Sequence, residues 1–258
     1  MNIKDKIIEL YTEDKYNPLY IDELMDILEI SKDERGMLEV ALEQMVDDGQ
    51  LVMTRKGKYA LPAMLGMSVG RIQGNAKGYG FFIPDNREHE DVFISPDHMN
   101  SAMHNDKVLI RLLSKKSSEG LSREGEIVAI LERANETVVG TLEREKHFGF
   151  VIPDDPKISN DIFISEDDMG NAQTGYKVVV KITKWPERRR NPEGKIIEVL
   201  GHKDDAGTDI LSIIRQFNLP EEFPSGIASA ARTIPQKIDH RNFEDRLDIR
   251  DLSLFTID

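Results

Sequence analysis

At 258 residues, with 39% hydrophobic and 31% charged residues, the chain has apolar material for one large domain or several small ones. It contains no cysteine, which excludes disulfides, thiolate nucleophiles and cysteine-ligated zinc. It has no apolar run of signal-peptide or membrane-spanning length, so a cytoplasmic protein with no membrane partner is expected. The formal net charge of -13 argues against a polyanionic ligand only until its distribution is read: 8 basic against 14 acidic residues over 1–67, 9 against 10 over 68–135, 10 against 12 over 136–200, and 7 against 11 beyond.

The first 66 residues read as a winged helix-turn-helix. Ile3, Ile7, Ile8 and Leu10 mark one helix, Ile21, Leu24, Met25 and Leu28 a second, and Leu38, Ala41, Leu42 and Met45 a third at spacing i, i+3, i+4, i+7. Ser31 with Glu34 forms a capping box for the third helix. GQLVMTRKGKYALP then supplies two strands around Lys56 and Gly57. The third helix carries Asp33, Glu34, Glu39, Glu43, Asp47 and Asp48 against Lys32 and Arg35, a balance that repels a phosphate backbone and argues against duplex DNA. Only the wing is basic, through Arg55, Lys56 and Lys58, so a docking role toward a protein partner or RNA is expected. The short joint Leu61–Gly66 predicts that the rest of the chain folds without this module.

The middle of the chain is duplicated. GYGFFIPDNREHEDVFISPDHM from Gly78 and HFGFVIPDDPKISNDIFISEDDM from His147 share their order of aromatic, glycine, Ile-Pro-Asp and Phe-Ile-Ser. Lys107–Ile110 answers Lys177–Val180, and Gly125–Val128 answers Gly194–Ile197. Two copies of one domain follow, over 67–134 and 135–202, each of five short strands suited to a small closed barrel. For the first copy these fall near Ser68–Gln73, Gly80–Ile83, Asp91–Ile94, Lys107–Leu113 and Gly125–Leu131.

Within a strand, side chains alternate between faces, so Tyr79 and Phe81 share one face while Phe82 takes the other. KGYGFF followed by DVFIS resembles the paired strand motifs of cold-shock domains, OB-fold barrels that bind single-stranded nucleic acid. That resemblance implies a stacking face of Lys77, Tyr79, Phe81 and Phe93 in the first barrel and of Lys146, Phe148, Phe150 and Phe163 in the second. Glycine beside the aromatics is expected to let backbone and bases approach closely. Ser95 and Ser165 stand where such domains often carry histidine, and Ile72 and Leu142 near a usual tryptophan. The loop WPERRRNPEGK sets Trp185, Arg188, Arg189 and Arg190 together, either to track phosphates or stack on bases, or simply as a solvated loop.

Beyond residue 202 two more helices are expected, through Ile210, Ile213, Ile214 and Phe217 and through Ile227, Ala230, Ala231 and Ile234, before RNFEDRLDIRDLSLFTID. The whole order, an α+β multidomain arrangement of winged helix, two cold-shock barrels, short helices and RLDIRDLSLFTID, closely resembles the amino-terminal part of the ribonuclease R family in the ribonuclease II superfamily. The resemblance implies a 3′ to 5′ exoribonuclease acting on single-stranded RNA with Mg2+. It makes Asp258 the first of four clustered metal-binding and catalytic aspartates, and it makes residues 203–258 a connector and the first strand of a truncated catalytic domain. On this reading the 258 residues are inactive and bind no metal by themselves, since one carboxylate cannot assemble a hard-cation site. The alternative is a complete, non-catalytic RNA-binding chaperone or regulator. No HxxxH spacing, GxxxxGK[ST] loop or serine elbow competes, and GNAKGYG is not followed by the helix that a dinucleotide loop needs.

Overall fold

A computed structural model of the protein describes residues 2–13, 17–86, 89–116, 123–187, 190–234, 251–253 and 255. They fall into two units, Met1–Phe217 and Asn218–Asp258.

The first unit begins with α1 (Ile3–Glu13), α2 (Ile21–Ile27) and α3 (Arg35–Asp47), followed by a two-stranded antiparallel hairpin of β1 (Val52–Met53) and β2 (Tyr59–Ala60). The apolar positions read from the helical period converge: Ile7, Leu24, Leu38, Leu42 and Met45 are all fully buried in one cluster with Leu10, Tyr11 and Leu51. Tyr11 ties the first helix to the hairpin by donating to the Tyr59 carbonyl at 2.7 Å, and burial pushes its phenol up to about 12. Ser31 donates to the Glu34 carboxylate through both its backbone N–H and its hydroxyl. These bonds cap a single 3-10 turn, Lys32–Glu34, that runs into α3, rather than α3 itself. The turn at Gly57 has φ +75°, in the left-handed region that glycine adopts without strain.

Two closed five-stranded barrels follow. The first comprises β3 (Met67–Gly74), β4 (Gly80–Pro84), β5 (Val92–Ile94), β6 (Lys107–Lys116) and β7 (Arg123–Glu132) in spatial order β3-β4-β5-β7-β6. The second comprises β8 (Thr137–Arg144), β9 (Phe148–Pro153), β10 (Ile162–Ser165), β11 (Tyr176–Lys184) and β12 (Glu193–His202) in the order β10-β12-β11-β8-β9, with a one-turn helix α4 (Glu166–Met169) after β10. These are one topology repeated. In each, four antiparallel neighbours are completed by one parallel pair, β5 with β7 and β10 with β12, and complete pairing leaves no sheet edge open.

Equivalent positions fill the two interiors: Ile72, Phe82, Val92, Ile94, Val108 and Ile110 in the first, and Leu142, Val151, Ile162, Ile164, Val178 and Val180 in the second. The alternation that sends these residues inward sends their neighbours outward. Each barrel has its own core, but neighbouring elements are in contact. Met103, from the loop before β6, is buried within the second barrel's cluster, and a side chain at Gly49, after α3, would collide with Leu131 and Val69 of the first barrel.

The first unit closes with α5 (Thr208–Gln216), held to β12 by a two-pronged ion pair between Arg215 and Glu198. That pair holds the Glu198 carboxyl below its ordinary pKa. In the second unit, α6 spans Ser225–Thr233. Of the strand expected near Ser253–Ile257, residues 254, 256 and 257 lie outside the described residues, as does Asp258.

Candidate nucleic-acid interface

Cross-strand register assembles the aromatic side chains. Phe81 on β4 sits directly opposite Phe93 on β5, and Phe150 on β9 directly opposite Phe163 on β10. Tyr79 and Phe148 lie two residues before Phe81 and Phe150, on the same face, and complete each group. In the first barrel the three ring centroids are 5.8, 5.5 and 5.9 Å apart. In the second they are 5.7, 6.0 and 5.8 Å apart. Both groups lie outside the barrel on the wet face, half-buried, with Phe148 the most open at 38% exposure. Phe81 and Phe150 meet their neighbours edge-on, while Tyr79 is tilted against Phe93 and Phe148 lies nearly parallel to Phe163 at 6.0 Å; the partly exposed rings offer aromatic surface on which planar bases can stack.

The inward face explains two of the glycines. A side chain at Gly80 would press on Met99 and Ile72, and one at Gly149 on Leu142 and Met169. Gly80 and Gly149 thus make room for the core, whereas Gly78, at φ +85°, has open space where a side chain would begin. Ile72 and Leu142 are fully buried, so neither extends the aromatic face. Ser95 and Ser165 are engaged by the short helical turns that follow them, with the Ser165 hydroxyl donating to Asp168 at 2.7 Å and the Ser95 hydroxyl 3.2 Å from His98 Nδ1.

Lys77 and Lys146 are exposed at the turns leading into β4 and β9. Gln73, exposed and paired in register with Phe81, also borders the first platform; alternation from Ile72 would have placed it there. Its counterpart beside Phe150 is Glu143. His147, next to Phe148, is paired with Glu166 at 3.0 Å.

The basic loop divides. Trp185 packs against the second barrel's core and carries the Arg133 guanidinium 4.1 Å above its ring, so one of its faces is already occupied. Arg190 is exposed and, with Glu187 and Pro186, borders an open cleft of about 960 Å³ whose other wall is Pro96, Asp97, Asn100 and Ser101 of the first barrel. Arg188 and Arg189 lie outside the described residues. Among the described residues, no three acidic or histidine side chains are grouped as metal ligands, and no helix is long and apolar enough to cross a membrane.

Comparison with known proteins matches residues 70–130 to a ribonuclease B OB domain and residues 150–224 to a cold shock domain. The chain is 32% identical to Ribonuclease R of Thermotoga maritima, over 100% of this chain and 36% of that protein. It is 34% identical to Ribonuclease R of Escherichia coli strain K12, over 99% and 31%, and 30% identical to that of Acidithiobacillus ferrooxidans, over 96% and 56%. It therefore spans between about a third and just over half of the length of these relatives. Among solved structures, Mycoplasma genitalium RNase R superposes with a TM-score of 0.56 at 18% identity, over 71% of this chain and 29% of that one. Yeast Ssd1, a pseudonuclease, does so with a TM-score of 0.50 at 22% identity, over 59% and 25%.

Proposed function

Starting from a chain that belongs to the ribonuclease R family and matches the amino-terminal part of its relatives, we propose that the two barrels are the single-stranded RNA-handling portion of a 3′ to 5′ exoribonuclease. The observation that carries this reading is the pair of half-exposed aromatic triads, built twice from the same register on the outer faces of adjoining barrels. Lys77, Tyr79, Phe81, Phe93, Lys146, Phe148, Phe150 and Phe163 form the contact surface, and Arg190 meets phosphates along the cleft. Stacking tolerates any base, so little sequence preference follows. The net charge of -13 does not oppose this, because salt screens acid farther than about 8–10 Å from the contacts. The solved M. genitalium relative is itself a complex with ribose methylated single-stranded RNA, in keeping with this assignment.

The remaining domains take their roles from the same reading. Residues 1–66 are a winged helix, 67–134 and 135–202 the two barrels, and 203–258 the connector into a catalytic domain. The winged helix docks a protein or RNA rather than duplex DNA. On α3 the exposed side chains include Met37, Glu39, Val40, Glu43 and Asp47, while Arg35 is already committed to Asp22 and Glu39. In the longer protein Asp258 would contribute one carboxylate to a magnesium site that activates water. One carboxylate does not suffice for six oxygen ligands, so these 258 residues alone should leave RNA intact.

Titration of labelled oligouridine with the chain, alongside the Tyr79→Ala/Phe81→Ala/Phe93→Ala variant, tests the binding surface. Loss of affinity in the variant is expected, and unchanged affinity would overturn the assignment. Incubation with end-labelled RNA and magnesium tests the catalytic reading: the chain should release no nucleotide, whereas a longer version containing the catalytic domain should do so and lose that activity on Asp258→Asn.

A further inference from the structure

We propose that Arg133 is a positioning residue that locks the two aromatic platforms into one bipartite RNA site, an inference that rests on the RNA-binding reading above. The connection between the barrels, residues 133–136, is too short to act as a tether and is bonded along its length. Arg133 donates to the Asp106 carboxylate at 2.9 Å and to the Ser101 carbonyl and hydroxyl. The Ala134 N–H donates to the other Asp106 oxygen at 2.8 Å, the Asn135 side-chain amide donates to the His104 carbonyl, and the Glu136 carbonyl accepts from Ile182 of β11.

Asp106 is fully buried and also accepts the Met103 N–H at 2.9 Å. One carboxylate therefore organises three things: the loop carrying Met103 into the second barrel's core, the guanidinium, and the start of the connection. A buried carboxylate is tolerated only when so compensated. Arg133 in turn uses both features of a guanidinium, its fork on the first barrel and its flat face on Trp185 of the second. Lysine could reach Asp106 but could not do both. Nearby, a side chain at Gly74 would collide with the Lys157 backbone, and His104, whose Nδ1 accepts the Gly74 N–H within the first barrel, sets its Nε2 4.0 Å from Asp155 of the second, so the barrels also touch directly. The same crevice is lined by Tyr79 of the first platform and by residues 157–160, the loop joining β9 to β10, which carry the second platform.

The short connection already makes binding to the second platform intramolecular once the first is engaged; fixing the joint at one productive separation raises the effective concentration, and that added gain is lost if the barrels swivel. The Arg133 fork is taken up by Asp106 and Ser101 and its face by Trp185. Arg133→Ala is thus expected to weaken binding of an oligouridine of about twenty nucleotides by about ten-fold or more, while leaving one of about four nucleotides, short enough for a single barrel, unchanged. Trp185→Leu, which keeps an apolar contact with the core but removes the ring, should reproduce the effect, and Arg133→Lys should not rescue it. Because the chain lacks cysteine, spin labels at Glu90→Cys and Lys181→Cys report on the joint without interference. Their distance distribution should be narrow in the parent and broad in both variants. Unchanged long-RNA affinity in folded Trp185→Leu would overturn the proposal, as would equal losses on long and short RNA, which would make Arg133 an RNA contact. Should Arg133→Ala fail to fold, Trp185→Leu decides. Failure of the underlying reading is distinct: parent affinity for the short oligonucleotide would then be indifferent to Tyr79, Phe81 and Phe93.

Discussion

Where the first barrel surrounds its aromatic triad with Gln73, Gly78 and Pro96, the second has Glu143, His147 and Glu166 at the equivalent places. The triads themselves are nearly superposable in ring spacing, and their cores use matching positions. Duplication has preserved what closes a barrel and aligns three rings, while the rim has diverged in charge. A second divergence lies at the joint. Met103 of the first barrel is 5% exposed inside its neighbour, whereas the corresponding Gln173 faces solvent. Asp106, which anchors Arg133, corresponds to Tyr176, whose ring instead meets His202 edge-on. One fold therefore carries an asymmetric pair, the first barrel giving the anchor and the second receiving it.

The sharpest way to break this comparison is at the joint. Met103→Ala is expected to cost about 2–5 kcal/mol of folding stability, against within about 0.5 kcal/mol for Gln173→Ala. Chemical denaturation measures both, and similar small effects would mean that the barrels pack separately. At the platforms, replacing Tyr79, Phe81 or Phe93 with alanine should each cost about 1–3 kcal/mol of RNA affinity wherever a base stacks. The matching changes at Phe148, Phe150 and Phe163 should cost less, because Glu143 and Glu166 repel the phosphates that accompany the base. Glu166→Gln should accordingly tighten binding, by less than about 1 kcal/mol for so exposed a charge. A salt titration comparing the two sets of variants would sharpen the contrast.

The smallest expected effect concerns His104 at the joint. Burial pushes its imidazole below the ordinary value, outweighing the pull of Asp155. The native state therefore takes up its proton less readily than the unfolded chain, so stability is complete above about pH 6.5 and declines as pH falls below it. Thermal midpoints between about pH 7.5 and about pH 5.5 should fall more steeply for the parent than for His104→Gln. Identical slopes would show that the histidine tolerates its charge.

Much of this was legible in the sequence because it is periodic. Alternation about Phe82 placed Tyr79 and Phe81 on one face, the repeat at a spacing of 69 to 70 residues gave the second barrel, and the resemblance to cold-shock domains added Phe93 and the second triad. The packing role of two glycines was not legible, for a physical reason. Gly80 and Gly149 flank exposed aromatics in sequence, but their missing side chains matter on the opposite face, against Met99 and Met169. The joint was illegible because nothing repeats there. Asp106 and Arg133 are 27 residues apart, and Arg133 meets Trp185 only after the chain has traversed most of a second barrel. For Trp185 beside three arginines the sequence offered a ligand contact or a solvated loop, and neither reading includes a ring packed on the core with one face against Arg133.

The central claim, that two repeated aromatic faces bind single-stranded RNA, is tested most directly by titrating labelled oligouridine of about twenty nucleotides against three versions of the chain. These are the parent, the variant with alanine at Tyr79, Phe81 and Phe93, and the variant with alanine at Phe148, Phe150 and Phe163 as well. The account predicts stepwise loss, with the larger step at the first triad and almost no binding once both are gone. Retention of parental affinity by a folded six-residue variant would contradict it.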